Sequence, residues 1–218
     1  MSTPAVSIII ATHNRARLLP TAIESALAAG PDVEVVVVDD ASRDETPAVC
    51  RRFPQIHCLR LARNRGLAGA RNAGLRASRG TYLAFLDDDD RRLPDSLPRQ
   101  LELLEQNPTA VLCYARVRAG DEGDGEPEEE AEQPSGDVFW RLLRANFVPV
   151  LSVVMRRDPI FQIGLLDESL REIEDWDLWL RLSERWPFVA LPSAVAVYRN
   201  FDRNSGQLSS NRARMVIT

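Results

Sequence analysis

Ala84-Phe85-Leu86-Asp87-Asp88-Asp89-Asp90-Arg91-Arg92-Leu93-Pro94-Asp95 is the stretch on which the reading of this chain turns. An apolar strand, Tyr82 to Leu86, breaks into four consecutive carboxylates. Four adjacent like charges repel, so something must offset them. Alternate side chains of an extended chain share a face, which would set Asp87 and Asp89 side by side. Two carboxylates converging at a strand end suit a hard divalent cation, Mg2+ or Mn2+, with a phosphate as a further ligand. A solvated acidic turn is the plainer alternative. Position favours the cation, because α/β sheets bind ligands at the carboxyl ends of their strands. A helix is expected to begin at Leu93-Pro94-Asp95, proline being tolerated in a first turn.

Working outward, the preceding chain alternates strands and helices. Val6–Ala11 is a β-branched run and a good buried strand. The polar loop Thr12-His13-Asn14-Arg15 follows it. Leu18, Leu19, Ala22, Ile23, Ala26 and Leu27 then recur at helical spacing, ending near Gly30. Glu34–Val38 is a second strand, closed by Asp39-Asp40-Ala41-Ser42. Asp44 to Phe53 is a short helix capped by Ser42 or Asp44. Ile56–Leu61 is a third strand, and Leu67–Ser78 an Ala-rich helix carrying Arg71 and Asn72. Such alternation requires crossover connections and a largely parallel sheet.

Beyond the acidic run, Ser96–Glu105 continues a helix and Ala110–Val117 is a strand. Val138–Ala145 is a short helix, Leu151–Met155 a strand, and Phe161–Leu170 a loop pivoting at Gly164. Glu174–Trp186 is an amphipathic helix, and Val189–Tyr198 a last strand or hairpin.

The chain has 218 residues, enough for one domain with a substantial core. Its net charge of −5 argues against a general nucleic-acid binder. Residues 120–134 hold eight acids and no base; without them the charge becomes +3. All 27 basic residues are arginine. Cys50, Cys58 and Cys113 match no zinc or disulfide pattern, so reduced, mostly buried thiols in a cytoplasmic protein are expected. No signal peptide or transmembrane run is apparent.

The loops at Thr12–Arg15, Asp39–Asp44 and Asp87–Asp90 should open on one sheet edge. Together they offer hydroxyl, carboxylate, amide and guanidinium groups, which suits a nucleotide diphosphate. Each has a plain alternative: Thr12 and Asn14 as helix caps, Asp39 and Asp40 as turn caps, Arg71 as a surface residue. Lysine and glycine phosphate motifs are absent, as is a nucleophile elbow. His13 and His57 cannot form a metal pair by spacing and read as incidental. In Glu172-Ile173-Glu174-Asp175-Trp176-Asp177 the acids are either dipole partners of a helix start or include a general base, Asp175, beside an indole on which a sugar packs.

These pieces, with Asn64-Arg65-Gly66, Ala70-Arg71-Asn72-Ala73-Gly74 and Glu174–Arg181, stand in an order that resembles the inverting family two of glycosyltransferases. The resemblance covers roughly residues 5 to 200. It implies a GT-A (Rossmann-like) fold: a three-layer α/β/α sandwich with a mostly parallel central sheet and a small acceptor-side subdomain. Residues 1–218 would be a single domain. About 5–115 would be the nucleotide-sugar half and about 137–200 the acceptor-side half, with an acidic flexible loop at 120–136 and a tail at 201–218.

The implied activity is metal-dependent transfer, with inversion, from a nucleotide-diphosphate sugar to a hydroxyl acceptor in polysaccharide or glycoconjugate synthesis. A UDP-sugar is favoured, and the acceptor is a carbohydrate or lipid-linked carbohydrate. By the same resemblance Thr12 and Asp40 hold base and ribose, with Asn14, Arg15 and Asp39 close by. Arg71 lies near the nucleotide. Asp89 ligates the metal, Asp87 ligates it or reaches the ribose, and Asp175 is the catalytic base. Asp88, Glu174 and Trp176 would lie beside the substrates. Relatives carry a histidine ligand after the last Tyr-Arg pair; here Asn200-Phe201-Asp202 follows, and Asp202 is a candidate substitute. The competing expectations are a catalytically inactive nucleotide-sugar-binding partner and, with less support, a sugar nucleotidyltransferase. The expected location is cytoplasmic, with or without peripheral contact at the inner face of the membrane.

Overall fold

A computed structural model describes residues 3–120 and 133–199. The expectations for most of the acidic loop, for the tail and for Asp202 lie outside the described residues. The chain runs β1 (Val6–Thr12), α1 (Leu19–Leu27), β2 (Val33–Asp39), α2 (Thr46–Arg51), β3 (His57–Arg60), α3 (Gly66–Ala77) and β4 (Tyr82–Asp87). It continues with β5 (Arg91–Arg92), α4 (Ser96–Gln106), β6 (Leu112–Ala119), α5 (Phe139–Leu142), a 3-10 turn (Val150–Ser152) and β7 (Val154–Arg156). The last elements are α6 (Arg157–Ile163), α7 (Glu174–Ser183) and β8 (Phe188–Tyr198).

The strands form one sheet in the order β3-β2-β1-β4-β7-β6-β8-β5. The expected parallel sheet is its first half: β1 runs parallel to β2 and β4, and β2 to β3. β6 and β8 are also parallel, while β7 is antiparallel to both its neighbours and β5 to β8. Every residue of β1 is buried, so both faces of the sheet are covered. Ile8, Ile10, Val35, Val37 and Leu86 face the layer of α1 and α2. Ile9, Val36, Val38, Leu83 and Phe85 face α3 and α7. Each such side chain contributes roughly 1.5–3 kcal/mol on burial. Gly74 lets α3 lie close on this second face, since a Cβ there would stand 2.5 Å from Ile9 Cγ2.

Four local expectations change. The helix after the acidic run begins at Ser96, not at Leu93-Pro94-Asp95, because Asp95 is left-handed (φ 50°) and breaks the turn. Arg91 and Arg92 form β5 instead, against Val197 and Ala196. The segment expected as a loop at Phe161–Leu170 starts within α6, which Gly164 ends at φ 90°. The expected strand from Leu151 starts only at Val154, after the 3-10 turn.

Candidate functional site

The carboxyl ends of β1, β2 and β4 open into one crevice of about 700 Å³, closed on its far side by the segment before β7 and by the start of α7. Thr12, Arg15, Asp40, Arg71, Asp87, Asp88, Asp89, Glu174 and Asp175 all line it. The two acidic stretches, about 90 residues apart in sequence, therefore share one cavity.

Arg71 joins them. It projects from α3 and is almost wholly buried. Its Nη2 donates to Asp87 Oδ1 at 2.6 Å and its Nη1 to Glu174 Oε1 at 3.1 Å. The guanidinium also lies 5.3 Å from the Phe85 ring centroid. Arg71 is thus neither a surface residue nor a free phosphate donor; it is a clamp between β4 and α7. Neighbouring Asn72 holds the approach to α7: its Nδ2 donates to the Leu166 carbonyl at 2.8 Å, and its Oδ1 accepts from Leu166 N at 3.0 Å.

Arg15 crosses the crevice mouth, with Nη1 2.6 Å from Asp89 Oδ2 and 3.1 Å from Asp88 Oδ1. Asp87 and Asp89 do not pair by strand alternation, because β4 stops at Asp87 and the chain turns there, Asp90 N donating to Asp87 O. Each finds its own arginine instead. Protons offset part of the remaining repulsion in the run. Burial pushes the Asp88 carboxyl up to about 7 against the pull of Arg15. Burial, with Asp87 and Asp89 nearby, pushes Asp90 up to about 9. Carboxylate oxygens are the donor type that a hard divalent cation takes. Among the described residues no three His, Cys, Asp or Glu side chains are grouped to hold one. Asp87 and Asp89 would therefore need oxygens from a bound diphosphate or from water to complete a coordination shell.

At the opposite wall Asp175 opens α7 beside Glu174. Its carboxyl is pushed up to about 6 by burial and by Glu174, against the opposing pull of Arg71. Its Oδ1 accepts from Trp176 N at 2.7 Å.

Three expected residues do not line the crevice. Asn14, left-handed at φ 54°, ties two loops: its Oδ1 accepts from Arg43 N and its N–H donates to Ser42 Oγ. Asp39 is buried, accepting from Ser42 N at 2.8 Å with Arg60 Nε 3.6 Å away. Trp176 is a core residue whose indole N–H donates to the Leu142 carbonyl at 2.8 Å, so it offers no sugar platform. Asp40 lines the cavity but is also a cap, accepting from the N–H groups of Arg65 (2.7 Å) and Gly66 (2.9 Å) at the start of α3.

Some lining residues had no chemical signal in the sequence. His13, read as incidental, lines the crevice, and its Nδ1 donates to the Asp40 carbonyl at 2.7 Å. Residues 146–151 and Tyr198 form the far wall. Arg199, next to Tyr198, reaches back with Nε to the Asp89 carbonyl at 2.5 Å and with N–H to Asp90 Oδ1 at 3.0 Å.

A family model described as Glycosyl transferase family 2 matches residues 7–158. A protein of Haemophilus influenzae described as an uncharacterized glycosyltransferase is 31% identical over 187 residues, 84% of this chain and 63% of that protein. The succinoglycan biosynthesis protein ExoO of Rhizobium meliloti is 50% identical over 102 residues, 45% of this chain and 29% of that protein. The putative teichuronic acid biosynthesis glycosyltransferase TuaG of Bacillus subtilis is 28% identical over 96% of this chain and 83% of that protein. The chain spans less than two thirds of the first two of these relatives. Among solved structures, S. aureus TarS 1-349 in complex with UDP-GlcNAc superposes with a TM-score of 0.78 at 19% identity, over 94% of this chain and 61% of that one. The mannosyltransferase PcManGT from Pyrobaculum calidifontis, in complex with GDP-Man and Mn2+, superposes at 0.71 and 20% identity, over 94% and 59%. The fold is that of the GT-A glycosyltransferases.

Proposed function

The chain belongs to glycosyl transferase family 2, and on that premise we propose that it moves a sugar from a nucleotide diphosphate to a hydroxyl acceptor, with inversion, in polysaccharide or glycoconjugate synthesis. The observation that carries the reading is the single crevice in which Arg71 binds the acidic strand end to the helix bearing Asp175. Relatives named for succinoglycan and teichuronic acid biosynthesis support the pathway class. UDP-GlcNAc bound to TarS supports a UDP-sugar donor. GDP-Man with Mn2+ in PcManGT supports a divalent cation.

In this reading residues 5–115 form the donor half and 137–200 the acceptor half of one domain. Thr12 and Asp40 face the nucleoside. Asp89 and Asp87 would hold Mn2+ or Mg2+, which supplies charge neutralisation to the departing diphosphate. Arg15, paired here with Asp88 and Asp89 at the crevice mouth, is a guanidinium that could meet the phosphates of the donor. Asp175 accepts the proton of the acceptor hydroxyl as that oxygen attacks the anomeric carbon from the face opposite the diphosphate. The C–O bond to the diphosphate breaks with its electron pair, and the anomeric centre inverts. A carboxyl held near 6 is basic enough for this and still ionised at neutral pH. Glu174, fixed by Arg71, sets the start of α7 and so the reach of Asp175.

Calorimetry with UDP-GlcNAc and Mn2+, paired with a transfer assay, tests the reading. Asp89→Ala is expected to lose metal-dependent donor binding. Asp175→Asn is expected to keep donor affinity and lose transfer; an active Asp175→Asn enzyme would remove Asp175 as the base. Donor binding with no transfer by the unaltered chain to any acceptor would instead favour the inactive binding partner. No helix of the described residues is long and apolar enough to cross a membrane.

A further inference from the structure

None of the three cysteines lines the crevice, and two of them meet elsewhere in the fold. Cys50 lies on the buried side of α2 with Thr46 and Val49, in the same apolar cluster as Val35 and Val37 of β2. Cys58 lies in β3, the edge strand of the sheet, directly opposite Val37. Residues opposite each other in a ladder point to the same face. Cys58 therefore faces the α2 layer with Val37, while its neighbour Leu59, opposite Val38, packs with Val38 on the α3 side. Register thus aims both thiols at one place between α2 and β3. They are hydrogen-bonded there, the Cys50 S–H donating to Cys58 Sγ.

The pair is asymmetric. Cys50 is buried, whereas Cys58 is exposed along the sheet edge. The donated S–H holds the Cys58 thiol below its ordinary range, and Arg60 adds to this against burial and Asp39. The same hydrogen bond, with burial, holds Cys50 well above its own. One thiol is a nucleophile open to solvent, and the other stands behind it, as an attacking and a resolving cysteine do. Cys113 is the contrast. It is buried, the Gln100 amide lies 3.8 Å from its sulfur, and burial pushes its thiol up to about 11.

We infer that Cys50 and Cys58 form a modification site for hydrogen peroxide, at which Cys58 is oxidised first and Cys50 then closes a disulfide between α2 and β3. The inference is independent of the transfer reaction. The Cys58 sulfur attacks one peroxide oxygen and the O–O bond breaks. The thiol proton completes the departing water, leaving a sulfenic acid on Cys58. The Cys50 sulfur then attacks the Cys58 sulfur, the S–O bond breaks, and hydroxide leaves with the Cys50 proton as a second water. Two thiols lose two electrons in all, and one peroxide is reduced to two waters.

The test treats the reduced full chain with a small excess of hydrogen peroxide and reads free thiols, intact mass and non-reducing peptide maps. Two of the three thiols should be lost and the mass should fall by two hydrogens. The Cys50 and Cys58 peptides should be linked, Cys113 should stay titratable, and dithiothreitol should restore all three thiols. Cys50→Ser should instead give a Cys58 sulfenic acid that dimedone captures, and Cys58→Ser should keep both remaining thiols. Survival of every thiol in the unaltered chain overturns the inference. So does a Cys58 sulfinic acid formed while Cys50 stays free, or a Cys58–Cys58 disulfide between two copies as the product. Loss of Cys113 as fast as Cys58 overturns it too. These deciding results come from the unaltered chain, so they hold even where a serine variant fails to fold.

Discussion

Replacing Arg71 by methionine tests the clamp directly. Methionine fills much of the arginine stem but leaves Asp87 and Glu174 without their shared cation. The Arg71 side chain is 3% exposed and that of Glu174 5%, so the stranded glutamate cannot recover its hydration in place. Removing one member of a buried pair costs about 3–5 kcal/mol. Asp87, a third exposed, is partly rescued by water, which puts the expectation at the lower end, about 3 kcal/mol. For a domain of this size that lowers the melting temperature by about 6–12 °C. The cause is an uncompensated carboxylate, so Glu174→Gln in the same background should recover most of the loss, whereas independent sites would add. Urea and thermal melts of the four proteins close the cycle. A second readout separates clamp from mere packing. The Arg71 cation opposes the upward shift of Asp175. Without it the carboxyl protonates at higher pH, so any residual activity should fall off at higher pH than in the unaltered protein. An Arg71→Met protein melting within about 2 °C of the original, or one that Glu174→Gln destabilises further, would refute the reasoning.

The remaining predictions follow from single contacts. With Asp175 held near 6, kcat/KM should fall on the acid side of about 6 as the base takes a proton; a profile unchanged to pH 4.5 would exclude Asp175. Gly74→Ala should destabilise despite its better helix propensity, because the new Cβ would stand 2.5 Å from Ile9 Cγ2 and 3.1 Å from Val38 Cγ2; a loss of about 1–3 kcal/mol is expected from chemical denaturation. Asp40→Ala removes the acceptor of two backbone N–H groups at the start of α3 and should cost about 1–2 kcal/mol even without ligand, a loss that calorimetry of donor binding alone would miss.

The parts of the molecule that could be read from the chain are those whose cause is local. The β-branched runs of β1 and β2 are buried on both faces, each ends in a polar loop, and crossover geometry then leaves little freedom in how they pair. The acidic run and the start of α7 were recognisable as chemistry for the same reason: each is a few consecutive residues. What escaped was set by partners far along the chain. Arg71 reads as a basic residue near the nucleotide or as a surface residue of its helix, yet its guanidinium is occupied by a carboxylate 103 positions away. Trp176 reads as a sugar platform because it neighbours Asp175, yet successive helical residues point about 100° apart, and its indole goes to a carbonyl 34 positions back. β5 is two residues long, too short for any period, and exists only because β8 passes beside it. The far wall of the crevice is the sharpest case. Phe147-Val148-Pro149-Val150-Leu151 looks like any apolar stretch bound for a core, and only the placement of the strand ends opposite it makes it a wall of the crevice.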